Sequence, residues 1–160
     1  MAPSIIVPTR SVNGVRIPTV GYGTMLFPDP DRAAELIQGA LECGYRHIDT
    51  ARKYGSEEWV GAGIRASGLA RKDIWGTTKV TEETAKADDF KRSVDTSLKT
   101  MGLDYVDLLL IHWPQPKVPL EETLDALAQA KKDGLAKNIG VSNFTVALLD
   151  EAVAKCAEPL

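Results

Sequence analysis

Gly44-Tyr45-Arg46-His47-Ile48-Asp49-Thr50-Ala51 decides the fold. Gly44 ends a helical stripe made by Ala33, Leu36, Ile37, Ala40 and Leu41. Tyr45 to Asp49 then reads as a short strand. A second helical pattern follows from about Ser56 to Ala66 and stops at Gly68. The same rhythm recurs downstream. Ile74 to Lys79 precedes a helix from about Lys86 to Met101, stopped by Gly102. Val106 to His112 precedes a helix from about Leu120 to Lys132, stopped by Gly134. Leu135 to Val141 precedes a helix that Thr145 caps, carrying Leu148, Leu149, Ala152, Val153 and Cys156.

Upstream, Asn13-Gly14 between Val12 and Val15 is a type I′ turn signal, so Thr9 to Val20 reads as a hairpin. Thr19 to Thr24 is a short first strand, and Asp29-Pro30 starts a helix with the carboxylate as cap. Strict alternation of strand and helix implies α/β architecture with a parallel sheet and right-handed crossovers. Either an open doubly wound sheet or a barrel satisfies it. A closed barrel uses about 250 residues, so the 160 residues alone favour the open sheet.

Composition bounds the function. At 44% hydrophobic and 26% charged, the chain reads as one soluble domain over residues 1–160. A net charge of -3 offers no basic face to nucleic acid or anionic membrane. Met1-Ala2-Pro3-Ser4 and the short apolar run Ile5-Ile6-Val7 lack the form of a signal peptide. Cys43 and Cys156 are two lone thiols, expected as small buried packing residues in a reducing compartment, with the cytoplasm as default location.

In a parallel βα fold the carboxyl ends of the strands gather on one face, where chemistry is done. Asp49, Lys79 and His112 close three strands, and Tyr54 stands in the loop after Asp49. Side-chain alternation puts Tyr45, His47 and Asp49 on one face, Trp75, Thr77 and Lys79 on another, and Leu108, Leu110 and His112 on a third. If all face inward, the polar groups converge. A phenol is a weak acid near neutrality, and a neighbouring ammonium favours its ionised form. Tyr54 is then the proton donor, Lys79 its tuner, Asp49 the lysine's partner and His112 the group that orients a carbonyl oxygen. Singly, each reads as a solvated or packing residue; jointly, matching positions on successive units favour a site.

Two further motifs read as structural. Gly61-x-Gly63-x-x-Ala66 fits a dinucleotide fingerprint but sits in the Trp59, Val60, Ile64 helical stripe, so close helix packing is expected. His47 and Asp49 share a strand face, yet the chain has only two histidines, so no metal site is expected and His47 is assigned to the interior.

The segments Gly44 to Ala51 with Tyr54-Gly55, Thr78-Lys79, Gly102-Leu103-Asp104-Tyr105-Val106-Asp107-Leu108, Ile111-His112-Trp113-Pro114 and Ile139-Gly140-Val141-Ser142-Asn143-Phe144 resemble those of aldo-keto reductases, in the same order. The resemblance implies a (β/α)8 barrel of TIM type, here partial at about five βα units, with the hairpin capping its bottom. It implies that the catalytic tetrad falls on Asp49, Tyr54, Lys79 and His112. It also implies a nicotinamide cofactor, usually NADPH, bordered by Gly23-Thr24-Met25, with Ser142 and Asn143 on its carboxamide. It implies further that Asp49 adjoins the cofactor and that Trp113 walls the carbonyl pocket beside Tyr54 and His112.

The chain departs from that family after its fifth unit, where three strands, a stacking tyrosine, a glutamine and the adenosine-phosphate groups would follow. The sequence expectation is therefore an NADPH-dependent carbonyl reductase or the catalytic half of one. The alternative is a truncated barrel serving association or cofactor sensing. Open sheet edges and an uncovered apolar face lead to the expectation that an isolated monomer is marginal, so that the chain is either a fragment of a longer enzyme or associates with other copies.

Overall fold

The computed structural model describes residues 7–27 and 30–160. The signal-peptide reading of Met1 to Ile6 and the expected cap at Asp29 lie outside these residues. The hairpin forms as strands β1 (Thr9–Val12) and β2 (Val15–Pro18). Asn13 and Gly14 both take positive φ, 50° and 80°, the backbone that a type I′ turn demands.

Five further strands follow: β3 (Tyr22–Gly23), β4 (His47–Asp49), β5 (Trp75–Val80), β6 (Val106–Ile111) and β7 (Ala136–Val141). They form one parallel sheet in the order β3-β4-β5-β6-β7. Spatial order equals chain order, and no reversal occurs. A doubly wound sheet reverses at its switch point; the wall of a barrel does not. The structure is thus a partial (β/α)8 barrel, and the open sheet that length favoured is excluded.

Helices α1 (Ala33–Glu42), α2 (Glu57–Ala66), α3 (Ala87–Met101), α4 (Leu120–Lys132) and α5 (Val146–Lys155) each pack on the next, as an outer layer. The core lies between this layer and the sheet. Ile48, Val106, Leu109 and Ile139 meet Ile37, Val60, Phe90, Leu124 and Leu127, all buried. Each such aliphatic or aromatic side chain contributes about 1.5–3 kcal/mol on burial.

The glycines of α2 explain its tight seating. A Cβ on Gly61 would stand 1.9 Å from the Met101 carbonyl oxygen, and one on Gly63 would stand 2.7 Å from Ile37. The fingerprint-like motif is therefore a helix-packing device, as expected. α5 is looser than its apolar stripe implied: Ala152 is buried, while Leu149 and Val153 are exposed. Cys43 also corrects the sequence expectation. It closes α1 as an exposed residue, because position 43 falls off the stripe that Ile37, Ala40 and Leu41 bury; Cys156 is half-buried.

The hairpin side chains Val12, Val15 and Ile17 share a groove of about 500 Å³ with Trp75, Leu108 and Leu110. The hairpin thus covers part of the sheet's inward face near the amino ends of the strands. The strand ends at the other pole stay clear of it. Among the described residues, no helix is long and apolar enough to cross a membrane.

Candidate active site

Strand geometry delivers the polar cluster. Asp49 is the last residue of β4, Lys79 is next to last in β5, and His112 directly follows β6. The Lys79 ammonium donates to Asp49 Oδ1 at 2.6 Å and to the Thr50 carbonyl at 2.9 Å. Only 8% of the lysine side chain is exposed. A cation so placed requires a partner, because an unpaired buried charge is strongly destabilising.

Tyr54 closes a 3-10 turn, Arg52–Tyr54, ended by Gly55 at φ 67°. Lys79 Nζ lies 5.1 Å from the centroid of its ring. On its other side, Tyr54 meets the His112 ring edge to face, with centroids 5.5 Å apart at 79°. The four residues singled out in the sequence therefore form one continuous cluster.

His112 is held by its backbone: its N–H donates to the Val80 carbonyl at 2.9 Å, and its own carbonyl accepts from Asn143 Nδ2 at 2.8 Å. Burial first, and then the Lys79 charge, push its pKa below the ordinary 6.5. The imidazole is accordingly neutral at physiological pH. Its Nδ1 is buried with no hydrogen-bond partner among the described residues. His47, the other histidine, bonds Thr77 Oγ1 at 2.9 Å, and burial lowers its pKa too. It is an interior group, and no cluster of three or more metal-binding side chains occurs among the described residues.

The remaining expected residues frame this cluster. Gly23 pairs with Asp49 across the sheet. Thr24 is buried, its hydroxyl donating to the Asp49 carbonyl at 3.1 Å and lying 2.8 Å from Ser56 Oγ. Met25 and Trp113 are exposed. Ser142 continues the ladder past β7, its N–H donating to the Ile111 carbonyl at 2.9 Å. Asn143 takes φ 62° and uses its amide N–H groups on the His112 carbonyl and on Ser142 Oγ, the latter at 3.1 Å.

That arrangement decides whether a nicotinamide fits. With its nitrogen engaged, Asn143 presents its carbonyl oxygen as an acceptor. Ser142 Oγ already accepts and so has its hydroxyl hydrogen to donate. One donor beside one acceptor matches the oxygen and nitrogen of a primary carboxamide.

Sequence reasoning missed the support behind the cluster. Ser56 Oγ also lies 2.9 Å from Thr50 Oγ1, so Thr24, Ser56 and Thr50 make a buried hydroxyl chain that fixes the Asp49–Tyr54 loop. Buried Glu57 accepts from Thr78 Oγ1 at 2.7 Å, pinning the strand beside Lys79. The crowding of Thr50 and Ser56 around Tyr54 was the available signal; Glu57 gave none. A separate groove of about 620 Å³ between α3 and α4 is lined by carboxylates such as Glu121 and Asp125, with no phenol or imidazole. Its chemistry makes the strand ends the better candidate site.

Comparison with known proteins shows the family. The model of the Aldo/keto reductase family matches residues 19–159. The methylglyoxal reductase DkgB of Escherichia coli O157:H7 is 45% identical over 140 residues, covering 86% of this chain and 52% of that one. The glyoxal reductase of Bacillus subtilis is 42% identical over 139 residues, covering 87% and 50%. The crystal structure of a Bombyx mori aldo-keto reductase in complex with NADP superposes with a TM-score of 0.89 at 35% identity, covering 97% of this chain and 56% of that one. The chain spans about half the length of the curated relatives it matches. With strand order, strand-end cluster and family match in accord, this chain belongs to the aldo/keto reductase family.

Proposed function

We propose that this chain carries the proton-donating machinery of an NADPH-dependent reduction of small aldehydes or ketones, with α-oxoaldehydes as the first class to test. The observation that carries the reading is the contiguous order Asp49, Lys79, Tyr54, His112, with the ammonium 2.6 Å from the carboxylate and 5.1 Å from the phenol ring. The names of two relatives, a methylglyoxal and a glyoxal reductase, support the substrate class.

A reduced nicotinamide, when bound, supplies a hydride to the carbonyl carbon. Ser142 and Asn143 would hold its carboxamide through the donor and acceptor left open on them, and Gly23 and Met25 would border it. The Tyr54 hydroxyl gives its proton to the carbonyl oxygen as negative charge develops there. The phenolate so formed is stabilised by the Lys79 ammonium, whose own charge Asp49 balances. Neutral His112 holds the substrate oxygen toward the phenol, and the exposed Trp113 ring provides an apolar wall. Solvent then returns a proton to Tyr54.

The experiment is a fluorescence titration of the 160-residue chain with NADPH, followed by cofactor oxidation with methylglyoxal. Saturable binding and turnover are expected. Absence of both would overturn the proposal.

A further inference from the structure

Glu82 occupies a junction that the tetrad does not explain. It begins the 3-10 turn Glu82–Thr84, just beyond β5. Its Oε1 accepts from Lys53 Nζ at 2.6 Å. Its backbone carbonyl accepts from Gln115 Nε2 at 3.1 Å. Lys53 immediately precedes Tyr54, and Gln115 lies three residues past His112. One residue therefore joins the loop of the phenol, the loop of the imidazole and the loop that follows Lys79.

The other hydrogen bonds of the Arg52–Tyr54 turn are internal to it: Tyr54 N–H to the Ala51 carbonyl, and Gly55 N–H to the Arg52 carbonyl. Surface ion pairs are commonly loose and energetically minor. This one differs in geometry. The second carboxylate oxygen, Oε2, is buried with no partner among the described residues, while the side chain as a whole is 24% exposed and that of Lys53 is 49% exposed, so the carboxylate is the more enclosed member of the pair. The Lys53 hydrogen bond holds the carboxyl below its usual range, which keeps it ionised.

We infer that Glu82 is a positioning residue: through Lys53 and Gln115 it clamps the Tyr54 loop against the His112 loop and fixes the phenol–imidazole separation. This rests on the proposed function, because that separation matters only if both groups meet one carbonyl oxygen. A misplacement of about 1 Å in such a constellation lowers rates by as much as a hundredfold. The pair acts on geometry and not on cofactor binding. Its loss lowers kcat and leaves NADPH affinity unchanged.

The test uses the whole 160-residue chain, whose two histidines simplify the NMR spectrum. The nuclear Overhauser contact between the Tyr54 ring and the His112 ring reports the clamp. The contact of His47 with Trp75, whose ring centroids are 6.2 Å apart, serves as the control for the rest of the sheet. Glu82→Ala, which removes the acceptor, and Lys53→Met are each expected to lose the Tyr54–His112 contact and keep the control. The double variant Lys53→Glu/Glu82→Lys rebuilds the pair with its ends exchanged and regains the contact. Should Glu82→Ala fail to fold, Lys53→Met alone decides, because Lys53 is an exposed side chain. Retention of the contact in Lys53→Met overturns the inference, as does failure of the exchanged pair to restore it. These outcomes are separate from the fate of the proposed function: unchanged turnover in Tyr54→Phe would reject the chemistry and leave the clamp measurement standing.

Discussion

Lys79 Nζ lies 2.6 Å from Asp49 Oδ1, and the lysine side chain is 8% exposed while the aspartate is 34% exposed. The ammonium is thus the desolvated partner, and the carboxylate is what makes its burial tolerable. Asp49→Asn should destabilise the chain by about 2 kcal/mol, below the roughly 3–5 kcal/mol for breaking a fully buried pair because Asp49 is partly solvated. Asp49→Asn/Lys79→Met should recover part of that loss. Urea denaturation of the three variants checks this. A double variant no better than Asp49→Asn would contradict it.

Both histidines have pKa values held below 6.5, chiefly by burial. The unfolded chain therefore takes up more protons than the folded one as pH falls. The sign follows: this stability contribution is fully present above about pH 6.5 and is lost as pH falls through the folded values. Urea midpoints measured from pH 7.5 to 5 should decline, and His47→Gln and His112→Gln should each make the decline shallower. An unaltered slope in both variants would refute the assignment.

Two glycines in helices should respond oppositely to alanine. Gly61→Ala drives a Cβ to 1.9 Å from a backbone oxygen of α3, so it should cost about 3 kcal/mol or prevent folding. Gly39→Ala, in α1, meets nothing within 4 Å and should stabilise by about 0.5–1 kcal/mol. Thermal melts of the two variants give the comparison.

Much of this organisation is written locally. Gly44, Gly68, Gly102 and Gly134 all take positive φ where the chain leaves a helix, which is why helix ends were legible. Asp49, Lys79 and His112 were legible as strand-end residues because side-chain alternation places them before any contact is known. Alternation and length did not separate barrel from open sheet, since βα alternation is common to both; the motif resemblance implied the barrel, and the order of pairing bears it out. The role of Ser56 was not legible either. It directly precedes α2, makes no capping bond, and turns its hydroxyl to Thr24 and Thr50. Such contacts join residues far apart in the chain and leave no periodic trace.

Ser142 can be tested apart from the proton donor. Its hydroxyl is the donor proposed for the cofactor's carboxamide. Ser142→Ala should weaken NADPH binding about tenfold, the effect of about 1.4 kcal/mol for one lost hydrogen bond. Fluorescence titration measures it, and an unchanged Kd would remove Ser142 from the cofactor site.

The central claim is that the Tyr54 phenol protonates the carbonyl oxygen. Single-turnover reduction of methylglyoxal by the chain preloaded with NADPH, compared between the natural sequence and Tyr54→Phe, tests it most directly. The account predicts a fall in rate of about 10²–10⁴-fold with NADPH affinity retained. Equal rates in the two proteins would contradict it.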